Sequence, residues 1–191
     1  MTSAAAPLTV VRVAADDPLA RPLMRELGDE YSRRYGGDAH AELLRYPAAE
    51  FAAPGGVLLL LLDAGEPVAG GAFRRHETPS PRTAELKRIW THSAHRRRGL
   101  ARRVLAELER EAERRGYRRV YLTTGPRQPE ARGLYLATGY TPLFDTAADP
   151  ESIGPLPFEK HLAPEQRTAT PHLNHTPPQL TYPPAHFETE A

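Results

Sequence analysis

The chain has 191 residues, of which 40% are hydrophobic and 26% charged, and its formal net charge is +1. That composition buries one sizeable core, and so small a net charge excludes whole-molecule attraction to nucleic acid or an anionic membrane. The absence of cysteine excludes disulfide frameworks, thiolate metal sites and a cysteine nucleophile, and fits a reducing, cytoplasmic setting.

The N-terminal segment lacks the basic start and continuous apolar stretch of a secretory signal. The longest apolar run, Val57 to Leu62, is too short to span a bilayer, so a soluble protein with no membrane partner is expected. In chain order, Leu8 to Val13 reads as a strand, and Asp16, Asp17 and Pro18 as a helix start. Leu19, Leu23, Met24, Leu27 and Tyr31 then recur at helical spacing as far as Tyr35, where Gly36-Gly37 ends the helix. Residues 39–51 read as a weaker helix-like or loop segment. Val57 to Leu62 and Pro67 to Arg74 form a hairpin around Asp63-Ala64-Gly65-Glu66. After a polar loop, Thr83 to Thr91 alternates as a fourth strand, with Glu85, Lys87, Ile89 and Thr91 expected on one side.

Leu100, Val104, Leu105, Leu108 and Ala112 mark the face of a second helix that Gly116 ends. Glu107, Glu109, Glu111 and Glu113 interleave with its arginines, which reads as a solvated face. Val120 to Thr123 is the next strand, and Pro129 opens a helix running through Tyr135 to Gly139. Tyr140 to Phe144 and Leu156 to Leu162 read as two closing strands around an acidic, Pro-containing loop. Beyond Leu162 the prolines at 164, 171, 177, 178, 183 and 184 interrupt a stretch without apolar periodicity. One domain over 1–162 and a disordered Pro-rich tail over 163–191 are therefore expected.

Chemistry concentrates at Arg96-Arg97-Arg98-Gly99-Leu100-Ala101, between an extended segment and an amphipathic helix. The first N–H groups of a helix lack intrahelical partners and favour anions. Gly99 lets main chain approach a phosphate without an intervening Cβ, and Ala101 keeps the next contact small. The arrangement is a diphosphate cradle without a Walker lysine.

The hexamer matches the pattern Q/R-x-x-G-x-G/A through Arg96, Gly99 and Ala101. Its flanks follow in order: Ala84-Glu85-Leu86-Lys87-Arg88-Ile89-Trp90, then Gly116-Tyr117, Leu122-Thr123-Thr124, and Ala131 with Leu134-Tyr135 and Gly139-Tyr140. In these features the chain resembles the GNAT superfamily of acetyl-coenzyme A-dependent N-acetyltransferases, most specifically from Thr83 to Tyr140. The resemblance implies a mixed α/β fold, with a mostly antiparallel sheet of six to seven strands flanked by about four helices. It also implies that the fourth and fifth strands splay apart around the pantetheine arm, with Ile89, Trp90 and Thr91 as main-chain partners. Acetyl-coenzyme A is then the implied cosubstrate, held by Arg96, Arg97, Arg98, Gly99, Leu100 and Ala101. Gln128 stands where the family usually has an asparagine contacting the pantetheine.

By the same resemblance Tyr135 is the acid that protonates the leaving thiolate, and Glu85 is either the base that accepts the amine proton or a structural carboxylate. Glu26, Asp29 and Glu30 on one side and Asp145, Asp149 and Glu151 on the other predict a cationic amine or lysine-like acceptor. A non-catalytic acyl-coenzyme A sensor and, with less support, acetylation of an RNA-linked amine are the alternatives. The resemblance leaves room for a homodimer, which no pattern in the residues fixes. The histidines, His92 and His95 among them, stand at no diagnostic metal spacing, so no metal is expected.

Overall fold

The computed structural model describes residues 7–36, 43, 45–77 and 82–162. The proposed tail, and much of the segment 39–51, lie outside the described residues.

Chain order gives β1 (Thr9–Val13), α1 (Arg21–Tyr35), β2 (Val57–Asp63), β3 (Glu66–Arg75) and β4 (Thr83–Thr91). There follow α2 (Leu100–Arg114), β5 (Arg119–Thr124), α3 (Pro129–Ala137), β6 (Thr141–Pro142), α4 (Pro150–Ile153) and β7 (Leu156–His161). A turn of 3-10 helix, Pro18–Ala20, precedes α1, and another, Ala48–Phe51, brings buried Phe51 onto the sheet. The sheet has seven strands in the order β1-β2-β3-β4-β5-β7-β6. Its pairings are antiparallel except for β4 with β5, which α2 connects as a crossover.

The unbroken apolar character of β2 follows from its place between two cores. Val57, Leu59 and Leu61 face the core built with Val104, Leu105 and Leu108 of α2. Leu58 and Leu60 face the second, with Leu23 and Leu27 of α1, Phe51 and Trp90. A strand covered on both faces has no position for a polar side chain.

Strict alternation fails in β4. Lys87 pairs with Ala72 and Trp90 with Gly70, so the register shifts by one residue, and Arg88 takes a positive φ of 59°. This bulge reverses the facing of the strand's second half. Ile89 packs against the α2-side core with Leu86, instead of sharing a face with Glu85 and Lys87 as expected. Arg88 lies on the opposite side, its guanidinium 4.0 Å over the ring of Phe51.

The glutamates of α2 also depart from the solvated-face expectation. Glu111 is buried and bonded to Arg12, Arg114 and Arg115. Glu109 accepts hydrogen bonds from the Tyr140 hydroxyl at 2.8 Å and Lys160 Nζ at 2.7 Å. Two further elements differ in extent: the penultimate strand shortens to Thr141–Pro142, and the acidic loop contains α4, opened by Asp149 accepting from the Glu151 N–H at 3.1 Å.

Candidate active site

β4 and β5 are paired only from Thr83 to Glu85 against Arg119 to Tyr121. Beyond that point no ladder joins Leu86–Thr91 to Leu122–Thr124, and the strands flank a cleft. Two adjoining cavities of about 430 and 390 Å³ occupy it, and Ile89, Gln128, Ala131 and Tyr135 line both.

The first cavity lies at the mouth of α2. Gly99 precedes this 15-residue helix with a φ of 75°, in the left-handed region that only glycine enters cheaply, and no side chain caps the helix. The first N–H groups of α2 are therefore left for an external acceptor, at the positive end of the helix dipole. A Cβ on Gly99 would have no heavy atom within 4 Å, so the glycine answers to its backbone angle and the space over it is open. Arg96, Arg97, Leu100 and Ala101 line this cavity, as do Ile89, Trp90 and Thr91. Buried Thr91 Oγ1 has no hydrogen-bond partner in the protein. Arg96 Nη2 reaches Glu30 at 2.9 Å.

Arg98 departs from the expected set. It does not line the cavity, because its guanidinium is bonded to Asp63 at 3.1 Å and to His95 Nδ1 at 2.6 Å, beside the β2–β3 hairpin.

Trp90 is held from the α1 side. Its Nε1 donates to Glu26 at 3.0 Å, and the same carboxylate accepts from the Ser93 N–H at 2.9 Å and hydroxyl at 3.0 Å. Burial raises the Glu26 pKa, but these hydrogen bonds outweigh it and hold the group below the usual carboxylate range. Glu26 thus fixes the exit of β4 toward the cradle.

Tyr135 sits where the cavities meet, 6% exposed, its ring 5.6 Å from those of Tyr140 and Phe158. Burial, with Tyr31 nearby, pushes its phenol well above the ordinary value, so it stays protonated at neutral pH. Gln128 Oε1 accepts from the Thr124 hydroxyl and the Gly125 N–H, each at 3.0 Å, and so orders the β5–α3 loop.

The second cavity runs under the C-terminal end of α1, lined there by Tyr31, Tyr35 and Gly36 and on β4 by Leu86 to Ile89. Tyr35 bridges to the β5–α3 loop: its hydroxyl accepts from the Arg127 N–H at 3.2 Å, and its ring occupies the space beside Gly125. Arg127 Nη1 donates to the Arg34 carbonyl at 2.9 Å, and Arg127 Nε to Glu151 at 2.9 Å.

Glu85 lines neither cavity. It is 5% exposed and forms ion pairs with Arg74 at 2.7 Å and Lys87 at 2.9 Å. The carboxylates expected to receive a cationic acceptor are not gathered in the second cavity either, which no carboxylate lines among the described residues. Glu26 serves Trp90 and Ser93, and Glu30 serves Arg34 and Arg96. Asp145 and Asp149 accept from backbone N–H groups, and Glu151 pairs with Arg127. Asp29 is exposed on α1.

The side chains overlooked in the sequence are Tyr31, Tyr35 and Arg88. A partial signal for Arg88 was present: Lys87 and Arg88 are consecutive, so a regular pleat sends the two cations to opposite faces of the strand.

Among the described residues no His, Asp or Glu cluster stands where it could hold a metal ion, and no helix is long and apolar enough to cross a membrane.

Comparison with known proteins agrees with this geometry. The sequence model of the acetyltransferase (GNAT) family matches residues 21–140. A curated relative, the uncharacterised N-acetyltransferase YsnE of Bacillus subtilis strain 168, is 38% identical over 95 residues, which are 47% of this chain. The match spans 61% of that relative's length. A structure from Klebsiella pneumoniae subsp. pneumoniae MGH 78578, provisionally described as an acyl-CoA N-acyltransferase, aligns with a TM-score of 0.62 at 25% identity, over 82% of this chain and 98% of its own. The PaiA N-acetyltransferase of Thermoplasma acidophilum, solved in complex with coenzyme A, shares the fold with a TM-score of 0.60 at 14% identity, over 82% of this chain and 99% of its own.

A splayed mixed sheet with an anion-binding helix mouth in the gap defines the acyltransferase class that uses coenzyme A thioesters. The chain belongs to the acetyltransferase (GNAT) family.

Proposed function

We propose that this chain transfers acetyl from acetyl-coenzyme A to a primary amine, directly and within one ternary complex. The observation that carries the reading is the open, uncapped mouth of α2 at Gly99, which leads along β4 to Tyr135, where a second cavity begins. The residues fit the cosubstrate: the α2 amides with Arg96 and Arg97 for its diphosphate, and Ile89, Trp90, Thr91 and Gln128 for its pantetheine arm. When bound, acetyl-coenzyme A supplies an activated thioester.

The parting of the two strands supports the next step. Beyond Glu85 no β5 residue pairs with β4, which leaves that edge of the strand, near Ile89, available to the thioester carbonyl. The amine nitrogen forms a C–N bond to the acetyl carbon as the C–S bond breaks. The amine gives up one proton to water, the departing sulfur takes one from the Tyr135 hydroxyl, which its raised pKa keeps loaded, and solvent returns a proton to the phenolate. The transfer from Tyr135 is worth roughly 10² to 10⁴ in rate. A lysine-like amine, with a pKa of about 10.4, is neutral in on the order of one molecule per thousand at pH 7. With Glu85 committed to Arg74 and Lys87, the amine proton leaves through water in the open cleft, and Glu85 serves to hold the wall.

Isothermal titration with coenzyme A and acetyl-coenzyme A, followed by thiol release with a mixed amine library, tests this. Micromolar binding with amine-dependent thiol release is expected. Binding without release supports an acyl-coenzyme A sensor instead, and no binding removes the assignment.

A further inference from the structure

The acceptor side of the cleft holds a buried cation that acetyl transfer leaves unused. Arg88 is 8% exposed, and its Nη2 donates to the Leu43 carbonyl at 2.7 Å. Its Nη1 is buried and has no hydrogen-bond partner. No carboxylate pairs with it among the described residues. Arg74, at 5% exposure on the neighbouring strand, is handled differently: Glu50 stands at 2.8 Å and Glu85 at 2.7 Å. Burying a guanidinium with no carboxylate partner among the described residues is unfavourable, and most buried charges are neutralised for that reason, which makes this one informative.

The surroundings of Arg88 indicate what completes it. The guanidinium borders a void of about 40 Å³ whose other walls are Tyr31, Leu43, Tyr46, Phe51 and Lys87. A single water requires about 10 to 15 Å³ by this measure, so the void admits a group of a few heavy atoms. Lys87 is already paired with Glu85 at 2.9 Å, so the open donor there is that of Arg88, and two phenols stand on the same walls. Arg88, Lys87 and Tyr31 also line the 390 Å³ acceptor cavity, so the void adjoins the path by which an amine reaches Tyr135. A planar carboxylate suits a guanidinium fork with an open donor.

We propose that Arg88 binds the carboxylate of the acceptor, which is therefore an amino acid or a closely similar amino carboxylate rather than a polyamine or basic peptide. Burial holds the Arg88 pKa below its ordinary value, with Tyr31 acting in the opposite sense. A bound carboxylate removes that penalty, so the site discriminates strongly against amines that lack the anion.

This inference rests on the acetyl-transfer reading, and the test separates the two. Acetyl transfer is measured with the standard L-amino acids, their primary amides, the corresponding decarboxylated amines and aminoalkyl phosphates. Coenzyme A affinity is titrated in the same preparation. At least one free amino acid is expected to exceed its amide and its decarboxylated amine by about 10- to 100-fold in kcat/KM. Arg88→Gln is expected to raise KM for that amino acid by a similar factor and to bring its preference over the amide close to one, with coenzyme A affinity within twofold of the parent and Arg88→Lys intermediate. Where Arg88→Gln fails to fold, judged by its circular-dichroism melt, the comparison of acceptors on the unaltered protein decides alone. Coenzyme A binding combined with equal or better turnover of amides, decarboxylated amines or phosphates, or with no transfer to any amino acid, overturns the carboxylate subsite and leaves the cofactor assignment standing. Failure to bind coenzyme A overturns the parent reading.

Discussion

Tyr135 and Gly99 act through different physics, so their replacement separates chemistry from binding. Tyr135→Phe keeps the ring against Tyr140 and Phe158 and removes only the proton donor. Turnover is expected to fall by about 10²-fold, with coenzyme A affinity within twofold of the parent; equal turnover would remove the hydroxyl from the mechanism. Gly99→Val places a β-branched residue at a φ of 75°, which bends the cradle even though the space for its Cβ is open. Titration is expected to show at least tenfold weaker coenzyme A binding. The placement of both was legible in the sequence, since the loop-to-helix junction at Gly99 and the helix around Tyr135 are set by local pattern. The role of Glu85 was not, because its partner Arg74 lies across the β3–β4 register. Glu85→Gln leaves Arg74 and Lys87 undercompensated, at a cost of about 3 kcal/mol by analogy with other broken buried pairs. The expected signature is a lowered melting temperature with an unchanged shape of the pH–rate profile; loss of an ionisation from that profile would restore Glu85 as the base.

At the scale of elements, the cleft exists because β4 and β5 part after Tyr121 and α1 reaches across to the β5–α3 loop. The elements themselves were readable from periodicity, Gly and Pro punctuation and β-branched runs, and most strand ends fall within a residue or two of expectation. The bulge at Arg88 was not readable, since its cost and benefit depend on a partner strand and on Phe51, which arrives from 37 residues earlier in the chain. The parting of β4 from β5 opens the strand edge near Ile89, and the bulge turns Arg88 to the acceptor side, so both halves of the site are shaped within one strand. The α1 connection is testable at Gly125, where an added Cβ would stand 1.9 Å from the Tyr35 hydroxyl. Gly125→Ala is expected to displace Tyr35 and break its hydrogen bond from Arg127. Hydrogen exchange at the Arg127 amide should rise while α2 stays protected; unchanged exchange would show that Tyr35 does not anchor the loop.

Across the whole molecule, Glu111 joins parts of the chain that no local pattern relates. Arg12 comes from the edge strand β1, Arg114 and Arg115 from the end of α2, and Arg115 also donates to the Gly56 carbonyl ahead of β2. Burial alone would raise the Glu111 pKa, but hydrogen bonds from the three arginines prevail and lower it from 4.5 to about 2. A carboxylate with a depressed folded-state pKa contributes stability that is complete above its unfolded value near 4.5 and is lost as pH falls toward about 2. The linkage is worth about 3 kcal/mol at neutral pH, less whatever solvent screening removes at exposed Arg12 and Arg114. Glu111→Gln keeps the shape but loses the charge, and at pH 7 it is expected to lower the melting temperature by about 5 to 10 °C. The gap between variant and parent should narrow through pH 4, fall to about a quarter near pH 2.5 and close only below about pH 2, where the parent protonates the same group. A gap that stayed constant with pH would mean that Glu111 stabilises the fold through packing, and that its charge carries none of the connection between β1, α2 and the segment leading into β2.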